Sequence, residues 1–156
     1  MACLELDMVE GRGRADLLLL IVEDNPLIGF MLEDVLAGAG HRVAGPVATL
    51  DEAVSSAERQ HPDLALVDID LQGQGTGVDL ARLLKERMQV PTVFVSGQVL
   101  VARAHQDVAV GLLKKPFSPD SLVASVALIE RRLAGEADGR PPAELELFDG
   151  LAHGGH

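Results

Sequence analysis

Four apolar runs in this sequence each end in residues that can do chemistry. LLLLIV (17–22) runs into Glu23 and Asp24, and LALV (64–67) into Asp68 and Asp70. TVFV (92–95) runs into Ser96 and Gly97, and AVGLL (109–113) into Lys114, Lys115 and Pro116. An unpaired carboxylate is expensive to bury, so a strand that leaves the core on aspartates needs a partner for their charge. Carboxylates gathered in one place raise each other's pKa unless a cation neutralises them. Hard oxygen ligands at a few positions suit Mg²⁺, which keeps several waters and pairs with phosphoryl oxygens. A lysine adds a point charge for an anion and a serine adds a hydrogen-bond donor. Brought together, the set is suited to moving a phosphoryl group onto a carboxylate.

The elements between these tips must make them converge. Asn25-Pro26 gives a cap followed by proline at the first helical position, and Ile28, Met31, Leu32, Val35 and Leu36 follow at helix spacing. Residues 42–47 read as a short strand, and Thr49 with Glu52 as a capping box for a helix to about Gln60. After the run at 64–67, QGQGTG (72–77) opens a helix carrying Val78, Leu80, Ala81, Leu83 and Leu84. Gly73, Gly75 and Gly77 read as loop punctuation, because the loop lacks P-loop spacing and its lysine. TVFVS (92–96) is the fourth strand, a weaker helix spans roughly 99–107, and 109–113 is the fifth strand. Ser118-Pro119 caps a last helix with Leu122, Val126, Ile129 and Leu133 on one face. Five such βα units predict an α/β domain: a doubly wound, five-stranded parallel sheet with helices on both faces. In such sheets sites form at the carboxyl ends of the strands, near a topological switch point, where all four tips lie. Taken singly the tips have blander readings; Glu23-Asp24, for instance, suits the positive end of a helix dipole.

Composition narrows the classes. The chain has 156 residues, 47% hydrophobic and 24% charged, which is globular and of one-domain length. A net charge of −11 argues against a nucleic-acid surface. Cys3 is the single cysteine, so no internal disulfide is expected. LLLLIV is too short to span a bilayer and lacks a signal-peptide cleavage pattern, so a soluble cytoplasmic protein without a membrane partner is expected. Residues 1–16 sum to −2 and 134–156 to −4, against −5 for 17–133. The reading is a flexible N-terminal tail (1–16), a folded domain (17–133) and an acidic C-terminal tail (134–156) with no output domain. Within that tail, AELELFDGL (143–151) holds Leu145, Leu147, Phe148 and Leu151, enough for a small docking segment on its own domain, on a second copy in a homodimer, or on a partner.

IVEDN (21–25), PDLALVDIDL (62–71), TVFVSG (92–97) and KPFSPDSL (115–122) resemble the receiver domains of two-component response regulators, and the resemblance covers 17–133. It implies a flavodoxin-like (βα)5 fold with Asp68 as phospho-acceptor. Asp24 would ligate Mg²⁺ directly with Glu23 alongside and Asp68 at the same ion, and Asp70 would offer its backbone carbonyl. Ser96 would hydrogen-bond the new phosphoryl group and Lys115 would pair with one of its oxygens. Lys115-Pro116 would be the cis peptide. The protein would then be a signalling protein that catalyses only its own aspartyl phosphorylation and dephosphorylation. Its phosphate source would be a sensor histidine kinase or phosphotransfer protein, and it would signal to a downstream protein partner.

Three departures stand out. Ser96 replaces the commoner threonine, Leu112 stands where a switch aromatic is expected, and the interval from Ser96 to Lys115 is short. With FVSG (94–97), that interval is similar to stand-alone receivers of alphaproteobacterial stress networks, the group named for an F-A-T-G motif. Two alternatives remain. One is a receiver-fold interaction module that works without phosphorylation. The other is a haloacid-dehalogenase-like phosphatase using Asp68-Ile69-Asp70, although residue 72 is Gln, the motif falls on the third strand and no cap is present.

Overall fold

The fold is described from a computed structural model, which describes residues 16–71, 75–136 and 138–148. Strands and helices alternate: β1 (Leu18–Val22), α1 (Pro26–Gly38), β2 (Arg42–Val47), α2 (Leu50–Gln60), β3 (Leu64–Val67), α3 (Gly77–Met88), β4 (Thr92–Ser96), α4 (Val99–Ala104), β5 (Gly111–Lys114), α5 (Pro119–Leu133) and β6 (Leu145–Leu147). The sheet order is β2-β1-β3-β4-β5-β6. The first five strands run parallel, and β6 adds to β5 antiparallel. The order reverses between β1 and β3, so Glu23-Asp24 and Asp68 leave the sheet side by side at the switch point.

The apolar runs are continuous because both faces of the sheet are covered. Leu19, Ile21, Leu64 and Leu66 pack with Leu32 and Leu36 of α1 and Leu122, Val126 and Ile129 of α5. Their neighbours Leu20, Val22, Ala65 and Val67 turn the other way, onto Ala53 and Ala57 of α2 and Leu80 and Leu84 of α3. This is period-2 alternation with no polar side. The predicted caps form. Asn25 accepts from the N–H groups of Leu27 and Ile28, and Thr49 and Ser118 each cap the third helical N–H. Glu52 completes its box one residue early, on the N–H of Ala48.

Two expectations are revised. The weak helix shrinks to α4, because 105–110 turn back into β5, which begins at Gly111. The sheet has six strands rather than five, because part of the segment read as an acidic tail returns to it. Leu145 joins the α1/α5 layer and Phe148 is buried beside α4. In this structure residues 145–148 pack on their own domain; Leu151 and most of the N-terminal segment lie outside the described residues. Among the described residues, no helix is long and apolar enough to cross a membrane.

Candidate functional site

Each site residue is held by backbone at a strand end. The N–H of Glu23 donates to Val47 O on β2 (2.9 Å), and the N–H of Asp68 to Val22 O on β1 (2.9 Å). Lys115 N–H donates to Ser96 O (3.1 Å), which ties the lysine to the serine's own strand. The Lys115-Pro116 peptide is cis, as the resemblance implies.

Glu23, Asp24 and Asp68 each offer a carboxylate oxygen, all within 4.8 Å of one another. Glu23 and Asp68 are buried, whereas Asp24 is half-buried and opens the cluster to solvent. Lys115 Nζ sits 2.9 Å from Glu23 Oε1 and 3.5 Å from Asp68 Oδ2. The second Glu23 oxygen accepts the N–H of Asn25 (3.1 Å), so its carboxylate is held on both sides. Asp68 Oδ1 accepts a long bond from Asp70 N–H (3.3 Å). Burial first, and then the Glu23 charge, push Asp68 up from 3.8 to about 6, and Lys115 offsets part of this. Three carboxylates facing one ammonium leave the cluster short of positive charge. An all-oxygen donor set with that deficit fits a hard divalent cation such as Mg²⁺.

Ser96 is buried, and its Oγ accepts the N–H of Gln98 (3.0 Å), which leaves the hydroxyl proton to donate elsewhere. Asp70 is exposed, and its side chain accepts from the Gln98 amide rather than turning toward the acids. Leu112 is fully buried among Phe94, Ala102 and Phe148.

Gly77 is a positioning residue rather than loop punctuation. It opens α3, and a Cβ there would come within 2.0 Å of the Asp68 carbonyl oxygen. Its N–H donates to Ile69 O (2.8 Å), so the chain after Asp68 lies directly against the helix start. Only the absence of a side chain permits that approach. The signal in the sequence was a glycine immediately after a Thr cap, at the first helical position.

Known proteins are similar to this chain in sequence and in fold. A family profile described as Response regulator receiver domain matches residues 19–127. The phyllosphere-induced regulator PhyR of Methylorubrum extorquens is 35% identical over 129 residues, covering 78% of this chain and 48% of that protein. The signal receiver domain of a modulated diguanylate cyclase from Desulfovibrio desulfuricans has a similar structure, with a TM-score of 0.66, 34% identity and coverage of 71% of this chain and 90% of that one. The response regulator PhyR from Brucella abortus follows at a TM-score of 0.60 and 29% identity, over 75% of this chain and 49% of that one. Two PhyR likenesses are in keeping with the stress-network subgroup indicated by FVSG. The chain spans about half the length of the first curated relatives it matches. With the profile covering most of the chain, the strand order reversing at the acids and a lysine set among them, this chain belongs to the response regulator receiver domain family, whose members are signalling modules rather than classical enzymes.

Proposed function

We propose that this protein accepts a phosphoryl group on Asp68 from a histidine kinase or a phosphotransfer protein, and signals by changing which proteins bind it. The observation that carries the reading is Lys115 Nζ, placed between Glu23 Oε1 at 2.9 Å and Asp68 Oδ2 at 3.5 Å. Asp24, Asp68 and Glu23, with the backbone carbonyl of Asp70, would hold Mg²⁺; when bound it would offset the charge that the carboxylates and the phosphoryl group bring together.

An oxygen of the Asp68 carboxylate attacks phosphorus in line with the donor's histidine. The phosphorus–nitrogen bond breaks, and its electron pair returns to the imidazole. Lys115 already lies within reach of Asp68, so it pairs with a phosphoryl oxygen by a small movement away from Glu23. The Ser96 hydroxyl donates to a second phosphoryl oxygen. Asp70 and Gln98, linked to each other, border the side from which water would later attack. This chemistry resides in 17–133. The lone Cys3 and the kinase donor together favour a cytoplasmic location.

The test is to incubate the full chain with Mg²⁺ and a small acyl-phosphate donor and to record intact mass beside Asp68→Ala. One phosphoryl adduct on the wild type, absent without metal and absent in the variant, is the expected result. An adduct that persists in Asp68→Ala would place the acceptor elsewhere. No adduct on a folded wild type, from either the small donor or a kinase panel, would favour the phosphorylation-independent module.

A further inference from the structure

β6 contributes no side chain to the acidic cluster, yet it is carefully seated. It is three residues long and completes the β5 edge as an antiparallel partner. Backbone bonds close both of its ends, with Lys114 N–H donating to Glu144 O (2.9 Å) and Phe148 N–H to Val110 O (3.0 Å). Three side chains fix it. Phe148 is buried with Ala102, Val108 and Leu112. Arg103 of α4 donates a forked pair to Glu146, with Nε at 3.0 Å and Nη2 at 2.8 Å. Ser121 of α5 donates to Glu144 Oε1 (2.9 Å). The seat is cut for backbone, since a Cβ on Gly111 would meet Glu146 O at 2.8 Å.

Without β6, the β5 edge would present unpaired N–H and C=O groups, an arginine, and an apolar hollow of aromatic size. Edges of that kind take extended peptides as added strands, with backbone bonds giving affinity and pockets giving specificity. The cis occupant is minimal for such a seat, and residues 134–144 connect it to α5. It also leaves Leu100 uncovered. That residue lies one turn before Arg103 on α4 and is 78% exposed.

We propose that the β5 edge and α4 form a strand-binding groove for an extended partner segment of apolar–acidic–apolar–aromatic pattern, and that residues 144–148 fill it in cis as a displaceable plug. The partner's acidic residue faces Arg103, its aromatic takes the place of Phe148, and a neighbouring apolar residue covers Leu100. Charge selects the partner: a basic residue opposite Arg103 is rejected. The inference rests on this geometry alone and stands or falls separately from the chemistry of Asp68.

Two measurements on the full chain test it. In hydrogen exchange on the wild type, the amides of Lys114 and Phe148, bonded to or from the plug, should exchange at least about tenfold faster than those of Val110 and Lys115, which are bonded to β4. Exchange of all four at one rate would make β6 a permanent part of the sheet and overturn the proposal. In the second, a fluorescent peptide of sequence PPAELELF (residues 141–148) is titrated with wild type, Glu146→Arg and Arg103→Glu. Glu146→Arg sets two cations face to face and loosens the plug while leaving the groove, so binding should tighten about tenfold over wild type. Arg103→Glu also loosens the plug but removes the groove's cation, so it should gain nothing. A Glu146→Arg protein that is folded by circular dichroism yet binds no better than wild type would overturn the proposal. A wild-type dimer that exchanges its plugs, seen by sedimentation and cross-linking, would replace the partner with a second copy.

Discussion

Asp68 and Glu146 each face a basic side chain, yet the protein pushes them in opposite directions. Burial and the Glu23 charge raise Asp68 to about 6. The forked hydrogen bonds of Arg103 hold Glu146 below its ordinary range, against a smaller effect of burial. The difference lies first in burial, deep at Asp68 and slight at Glu146, and then in who owns the cation. Arg103 is devoted to Glu146, whereas Lys115 is shared and sits closer to Glu23 than to Asp68. A satisfied pair holds two elements together. An acid left short of positive charge is where an incoming cation or phosphoryl group gains most, because its arrival relieves a cost that folding left in place.

The comparison breaks most completely at Asp68→Ala, which should abolish the phosphoryl adduct in intact-mass measurements, whereas Glu146→Ala should leave its yield unchanged. Next in size is Gly77→Ala. A Cβ within 2.0 Å of the Asp68 carbonyl must move the strand end or the helix, so unfolding in urea should show a loss of about 3 kcal/mol. Smaller, and opposite in sign, is Asp68→Asn, which removes a charge that the fold disfavours. Without metal at pH 7 it should raise stability by the order of 2 kcal/mol.

pH sharpens the contrast. Because the folded protein holds the Asp68 proton more tightly than the unfolded chain, Asp68 lowers stability as pH rises from about 4 through about 6, with no penalty below that window and a full one above it. Glu146 acts the other way: its contribution is present above the pKa of the unfolded chain and is lost as pH falls through the lowered value. Melting temperatures from pH 4 to 7 should therefore decline more steeply in metal-free wild type than in Asp68→Asn. Saturating Mg²⁺ should remove the difference and EDTA should restore it. The smallest effect is expected at Arg103→Ala. Its guanidinium is half exposed, so the melting temperature should fall by no more than roughly a few degrees, with phosphorylation intact.

The site was largely legible because its pieces are local. A strand buried on both faces must read as an unbroken apolar run, and the first polar residues after it mark the tip, so Glu23-Asp24, Asp68, Ser96 and Lys114-Lys115 could be picked out one strand at a time; the choice of Lys115 over Lys114 came from the resemblance to receiver domains. Asp70 was legible as a neighbour of the site, but not the turning of its side chain to Gln98. The boundaries of α4 and β5 were less clear, because six helical residues and four strand residues carry too little period to separate them from the turn between.

The sequence by itself determined the five βα units, the order of the tips along the chain and the chemical types that meet, since hydrophobic period, caps and strand-end residues are set by neighbours a few positions away. Tertiary structure decided the rest. A three-residue strand such as β6 has no stability of its own and exists only where Gly111, Arg103 and the hollow for Phe148 receive it. Gly77 has its role only because Asp68 lies across from it. The raised pKa of Asp68 arises from burial beside Glu23, with the one nearby ammonium held closer to that neighbour, an arrangement of distances that no stretch of the chain contains.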